Sequence, residues 1–208
     1  MPKPFLSATK FVVEINRAQL LKDITFKNSR ATTMELRKEL APKIEEAQKK
    51  LVRDFSSHAV TRELQSGPNA PNISGSLNGY GNLFSFIGFD SGANPTDVIQ
   101  TLLSEKMRFK VRAVSSGRFK VTVFVPTKEE IFAITPLPWA SGSSWAEGIE
   151  KGISNLGSYL YSSAGFGRSN SGTGIQIKNS KKSVTFKETP YISALFDGLK
   201  KSLQRLDK

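Results

Sequence analysis

Apolar residues recur at intervals of four and three from Leu36 through Leu40, Ile44, Ala47 and Leu51 to Phe55. That spacing lines one face of a helix starting near Thr32, with Arg37, Lys38, Glu45, Glu46, Lys49, Lys50 and Arg53 on the remaining surface. Pro42 falls inside the pattern. Its missing N–H and its ring predict a kink or a break there, while the unbroken phase of the stripe sets both halves against one core. The period then changes to two. Met107, Phe109, Val111 and Ala113 alternate with Lys106, Arg108, Lys110 and Arg112. Beyond Ser115-Ser116-Gly117, Phe119, Val121, Val123 and Val125 alternate with Arg118, Lys120, Thr122 and Phe124. The pattern predicts an antiparallel hairpin with one apolar and one cationic face.

Weaker signals fill in the rest. Phe11-Val12-Val13-Glu14-Ile15 suits a short strand, and Ser66 to Asn72 is a run of turn formers that ends the helical region. Asn94-Pro95 suits the start of a short helix through Val98, Ile99, Leu102 and Leu103. At the far end Thr189 suits a cap and Pro190 a first turn. The helix they begin has Ile192, Leu195, Phe196, Leu199, Leu203 and Leu206 on one face, and Lys200, Lys201, Arg205 and Lys208 near its C-terminus. The chain therefore reads as one α+β domain over residues 1–208. A long kinked N-terminal helix and a C-terminal helix pack on an antiparallel β-sheet, and a flexible Ser/Gly/Lys-rich loop or β-hairpin arm occupies 162–188.

Composition narrows the chemistry. Among 208 residues there is no cysteine and one histidine, so the side chains that most often do acid–base, thiol or zinc chemistry near neutral pH are nearly missing. His58 follows Phe55-Ser56-Ser57 where the helical stripe runs out, which predicts a surface or helix-end position. Gly79-x-Gly81 lacks the third glycine of a dinucleotide loop, because position 84 is phenylalanine. Paired carboxylates are available at Glu129-Glu130 and at Glu147 with Glu150. Adjacent glutamates in a strand would point to opposite sides, and nothing in the sequence sets either pair across a cleft. No residue is assigned to catalysis, a cofactor or a metal. No apolar run is long enough to span a bilayer, and Met1 to Leu6 lacks the apolar stretch of a secretory signal.

The formal charge of +12 is concentrated at the ends: residues 1–66 carry an excess of +5, 67–161 of +1 and 162–208 of +6. Such polarity fits an acidic partner, either nucleic acid or the acidic face of a protein, as well as plain solubility. The candidate contacts to nucleic acid or such a partner are Lys106, Arg108, Lys110, Arg112, Arg118 and Lys120 on the hairpin and Lys178, Lys181 and Lys182 in the arm. Phe84, Phe86, Phe89, Trp139 and Trp145 are either core or a contact between subunits.

Three fragments carry a resemblance. Ala70-Pro71-x-x-Ser74-Gly75-x-Leu77 is similar to an Ala-Pro-x-x-Thr-Gly-x-Leu pattern that follows the long helix of tail-completion or neck proteins of long-tailed bacteriophages. Ala146-x-x-x-Glu150-x-Gly152, preceded by Trp145, is similar to a motif late in that family's sheet. Pro190-Tyr191-Ile192-x-Ala194-Leu195 is similar to its closing Pro-Phe-Leu-x-Pro-Ala. The chain departs from the family at Asn78, where a basic residue is usual, at Ala194, which replaces a proline, and in the Gly/Phe-rich stretch 78–89, which looks like an insertion. The resemblance implies a non-enzymatic virion component, a neck, tail-completion or tail-terminator protein, assembled in the host cytoplasm. It would form a homo-oligomeric ring of about six copies between head and tail. Its neighbours would be other neck proteins, portal-side proteins or tail-tube and sheath proteins, with double-stranded DNA passing through the ring, no cofactor and no membrane. The alternative reading is a basic nucleic-acid-binding protein.

Overall fold

The computed structural model describes residues 9–16, 29–77, 81–115, 118–138, 140–152 and 188–205. Trp139, Lys178, Lys181, Lys182 and nearly all of the 162–188 arm lie outside them. The fold is α+β. In chain order the elements are β1 (Thr9–Asn16), α1 (Ser29–Ser57), α2 (Ala59–Gln65), α3 (Leu83–Ile87), α4 (Asp97–Glu105), β2 (Arg108–Ser115) and β3 (Arg118–Val125). They continue with α5 (Lys128–Ala133), β4 (Pro136–Leu137), β5 (Ala140–Ser144), α6 (Trp145–Glu150) and α7 (Ile192–Leu203). The described residues form two compact units, one drawn from 1–53, 102–127 and 196–208 and the other from 54–101 and 128–195.

The first unit holds the three-stranded antiparallel sheet, ordered β1-β3-β2. Register follows from the alternation. Phe11, Val123 and Phe109 stand side by side, as do Val13, Val121 and Val111, and then Ile15, Phe119 and Ala113. Along the central strand Phe119, Val121, Val123 and Val125 are all buried, since β3 has a neighbour on either side, whereas Phe109, Val111 and Ala113 on the β2 edge are only half-buried. The stripe of α1 is buried in the same unit at Leu36, Leu40, Ile44, Ala47 and Leu51. The Arg37 guanidinium lies 5.7 Å from the centre of the Phe109 ring, and Gln48 Nε2 donates to the Leu103 carbonyl at 3.0 Å.

Pro42 does not divide α1, which runs unbroken through it. The buried residues on both sides hold the two halves in phase, and their burial outweighs the lost hydrogen bond. Exposed ion pairs one turn apart, Lys38 with Glu35, Lys43 with Glu39 and Lys49 with Glu45, line the outer surface of the helix.

The second unit holds α2, α3, α5 and α6 and the short β4–β5 ribbon, and three short helices here differ from what the pattern predicts. Phe84, Phe86 and Phe89 lie in and just after α3, which is capped by Asn82 at one end and by Gly88, at φ 87°, at the other. Glu129 and Glu130 are on α5, a helix and not a strand. Glu150 is on α6, whose first turn is capped by Ser144 Oγ accepting from the Glu147 N–H at 3.1 Å. Five or six residues are too few for a helical period to be visible, so these elements depend on caps and burial.

Replacing the exposed Pro42 by alanine restores an N–H inside α1. Pro42→Ala is expected to raise stability by about 1 to 3 kcal/mol, read as a higher urea midpoint with unchanged slope. Leu40→Ala, at a fully buried position, is expected to lower it by about 2 to 5 kcal/mol.

Candidate functional site

Two constellations stand out, one in each unit. In the first unit, the side of the sheet opposite the core displays the cations. Lys10, Phe124 and Arg108 form one cross-strand row; Val12, Thr122 and Lys110 the next; Glu14, Lys120 and Arg112 the third; and Arg118 follows beside Asn16. Lys10, Arg108, Lys110, Arg112, Arg118 and Lys120 are all exposed. Glu14 is the only carboxylate on this face among the described residues, and Arg112 stands directly opposite Lys120. A like-charged pair facing across strands destabilises a sheet by a few tenths to about 1 kcal/mol. Lys110 Nζ sits 5.6 Å from the centre of the Phe124 ring, a cation–π contact that shields that ring. Five of the six hairpin cations expected to make contacts thus share one face, while Lys106 sits half-buried just before β2.

In the second unit, polar groups hold the chain together from within. Glu63 is completely buried on α2. Its Oε2 accepts from the Ser74 N–H and its Oε1 from the Leu83 N–H, each at 2.7 Å. One carboxylate therefore fixes both the Ser74-Gly75 turn and the start of α3. Asn72 Oδ1 closes that turn by accepting from the Gly75 N–H at 2.9 Å, with Gly75 at φ 66°. Asn82 Nδ2 donates to the carbonyls of Pro68 and Ala70.

Glu150 does the same for the last helix. Its carboxylate accepts from the N–H groups of Tyr191 (3.0 Å), Ile192 (2.9 Å) and Ser193 (3.2 Å), which have no acceptor inside α7. The cap assigned by the sequence pattern to Thr189 is thus supplied from 41 residues away. Burial alone would raise the Glu150 carboxyl, but hydrogen bonds from Ser193 and Tyr191, the Lys128 ammonium at 3.4 Å and the Ile192 N–H together hold it below its usual value. Beside it, the Tyr191 hydroxyl shares a hydrogen bond of 2.8 Å with Thr61 Oγ1. Burial pushes this phenol above its ordinary range, against the opposing effect of Thr61.

His58 is half-buried at the end of α1, as its place in the sequence predicts, and its Nδ1 accepts from the Val60 N–H at 3.3 Å to cap α2. Its ring packs 4.9 Å from that of Tyr191. Desolvation lowers the pKa of the imidazole, against a hydrogen bond to the Pro190 carbonyl and the nearby charge of Glu150. The aromatic contacts continue from Tyr191 to Phe55, from Tyr191 to Trp145, from Trp145 to Phe89 and from Phe89 to Phe84, with ring centres 5.4 to 6.5 Å apart. Phe84, Phe86, Phe89 and Trp145 are 1–6% exposed. The reading of these four as contacts between subunits is therefore corrected: their rings are consumed by the core of one chain.

A surface depression of about 350 Å³ is lined by Glu129, Phe132, Ala133, Pro136, Gly142, Ser143, Ser144 and Glu147. Glu147 pairs with Lys151 at 2.6 Å. Of the paired carboxylates weighed for acid–base chemistry, Glu150 is occupied by backbone donors. No family model matches the sequence, and no curated protein or solved structure matches it either.

Because Glu150 holds its proton less tightly in the fold than in the unfolded chain, its stabilisation is complete above its ordinary value of 4.5 and fades as acid carries the pH through the lower folded value. At pH 7, Glu150→Ala is expected to cost about 2 kcal/mol. In Glu150→Gln, urea titrations between about pH 5 and 3 should show a shallower loss of stability than in the wild type. The lowered His58 works the same way at higher pH. Stability is fullest above 6.5 and declines as the ring is forced to protonate below it; His58→Asn, which retains a capping side chain, should flatten that decline.

Proposed function

We propose that this protein is a non-enzymatic assembly component of a tailed-phage virion, a neck, tail-completion or tail-terminator protein that joins head to tail as a ring. The observation that carries this reading is the meeting of the three resembling fragments. Ser76, in the Ala70–Leu77 fragment, shares a 3.1 Å hydrogen bond with Thr189, next to the Pro190–Leu195 fragment. Glu150, in the Trp145–Gly152 fragment, caps the helix that the Pro190–Leu195 fragment begins. Short matches arising by chance, spread over more than a hundred residues of sequence, have no reason to be bonded to one another. Fragments that together build one junction do.

The use made of the polar side chains supports the same reading. Glu63 and Glu150 bind backbone N–H groups, and His58 caps a helix, so each spends its hydrogen-bonding capacity on holding the fold. The ring would use surfaces other than the buried aromatics of α3 and α6. DNA would pass through it, and neighbouring neck, portal-side or tail-tube proteins would cover its ends.

Light scattering on a sizing column together with negative-stain imaging is expected to show rings with about six times the mass of one chain, formed alone or on addition of purified tail tubes. A monomer at all concentrations that attaches to neither heads nor tails would contradict the proposal.

A further inference from the structure

The cations of this chain are handled in two different ways. On α1, Lys38, Lys43 and Lys49 each have a glutamate one turn away. On the outer face of the sheet, Lys110, Arg112, Arg118 and Lys120 form no ion pair with any described residue, and Lys120 stands between Arg112 on β2 and a single carboxylate, Glu14, on β1. A surface meant only for solubility has no need to concentrate like charges in register, because dispersed charges serve equally well.

Alternate residues of a strand stand roughly 6.8 Å apart and neighbouring strands about 4.8 Å apart. The cations therefore form a flat lattice roughly 10 Å across and 20 Å long. The cores of protein–protein interfaces are depleted in charge, and in lysine above all, whereas nucleic-acid interfaces are strongly positive. Here Lys120 and Arg118 lie on the central strand after Phe124 and Thr122, and Arg108, Lys110 and Arg112 run along β2 beside them. The aromatic residue of the face, Phe124, is half-buried and capped by Lys110. Polyanion chemistry fits this lattice better than an apolar protein patch does.

We infer that the outer face of the β1-β3-β2 sheet binds the phosphodiester backbone of nucleic acid without reading its sequence. Arg112 and Arg118 supply forked donors to phosphate oxygens, Lys110 and Lys120 supply point charges, and Glu14 sets the limit of the patch. The face lies within one unit of one chain, so the inference stands whether or not the protein forms rings.

The test is fluorescence anisotropy with two unrelated 20-bp DNA duplexes, a single strand of the same length and poly-glutamate, over about 50 to 200 mM salt. The wild type is expected to bind both duplexes equally. The plot of log affinity against log salt should have a slope of about −3 to −5, as for four or five phosphates met; the single strand should give a smaller slope. Lys110→Gln/Arg112→Gln/Lys120→Gln should reduce the duplex slope by about 2 to 3 and the affinity at least tenfold at the lower salt. Arg112→Thr alone should reduce the slope by about 1 while slightly raising the urea midpoint, which guards against loss of binding through misfolding. Lys43→Gln/Lys49→Gln, on α1, should bind as the wild type does. The inference is overturned if the triple variant keeps wild-type affinity, if the wild type fails to bind DNA at low salt, or if poly-glutamate binds more tightly than duplex through the same three residues, which would assign the face to an acidic protein.

Discussion

The second unit depends on one carboxylate. A helix starts with N–H groups that have no partner of their own, and burying them without acceptors costs about 1 to 3 kcal/mol each. At the start of α7 these donors belong to the Tyr191-Ile192-Ser193 segment that follows Pro190, in which Tyr191 and Ile192 are fully buried. Glu150 meets three of them with a single charged group. Once it has done so, the position of Tyr191 is fixed. Tyr191 in turn gathers Thr61, Phe55, His58 and Trp145 around its ring and hydroxyl. Glu63 repeats the arrangement at the Ser74-Gly75 turn. Two acids, Glu63 fully buried and Glu150 partly so, therefore set how four sequence-distant segments meet.

The residues that build these junctions are an uneven set. Proline, glycine, a small hydroxyl residue and a glutamate have little in common in composition. They share a physical task in this chain: each stops a helix, turns the backbone or accepts its orphan donors. The first unit works differently. It is ordered by alternation and by the stripe of α1, and its outer sheet face gathers the exposed cations of β2 and β3.

Where local pattern and burial agree, the sequence is readable. The stripe from Leu36 to Phe55 and the alternation on either side of residues 116–117 each repeat often enough to define a period, and both elements occur where that period places them. The exposed cations of β2 and β3 follow from the same alternation. Illegible parts share a cause. The helices containing Phe84, Glu129 and Glu150 are shorter than two turns, and their ends are set by Asn82 and Ser144 or by contacts from elsewhere in the chain. Whether Phe84, Phe89 and Trp145 face inward or outward depends on which rings meet them, and that is a tertiary fact. The capping role of Glu150 lies 41 residues from its partners. The only local hint was an acid directly after the apolar Ile149 in a segment that starts with Trp145-Ala146. At Pro42 the local signal allowed a kink or a break, and the helix does not break.

The central claim, that Glu150 is the structural acceptor for the start of α7, is tested most directly by native-state hydrogen exchange at the amides of Tyr191, Ile192 and Ser193. Amides in the first turn of a helix ordinarily exchange quickly because nothing accepts their protons. The account predicts that these three exchange far more slowly than an open helix end and become fast in Glu150→Ala. Rapid exchange in the wild type, at the rate of an open helix end, would contradict it.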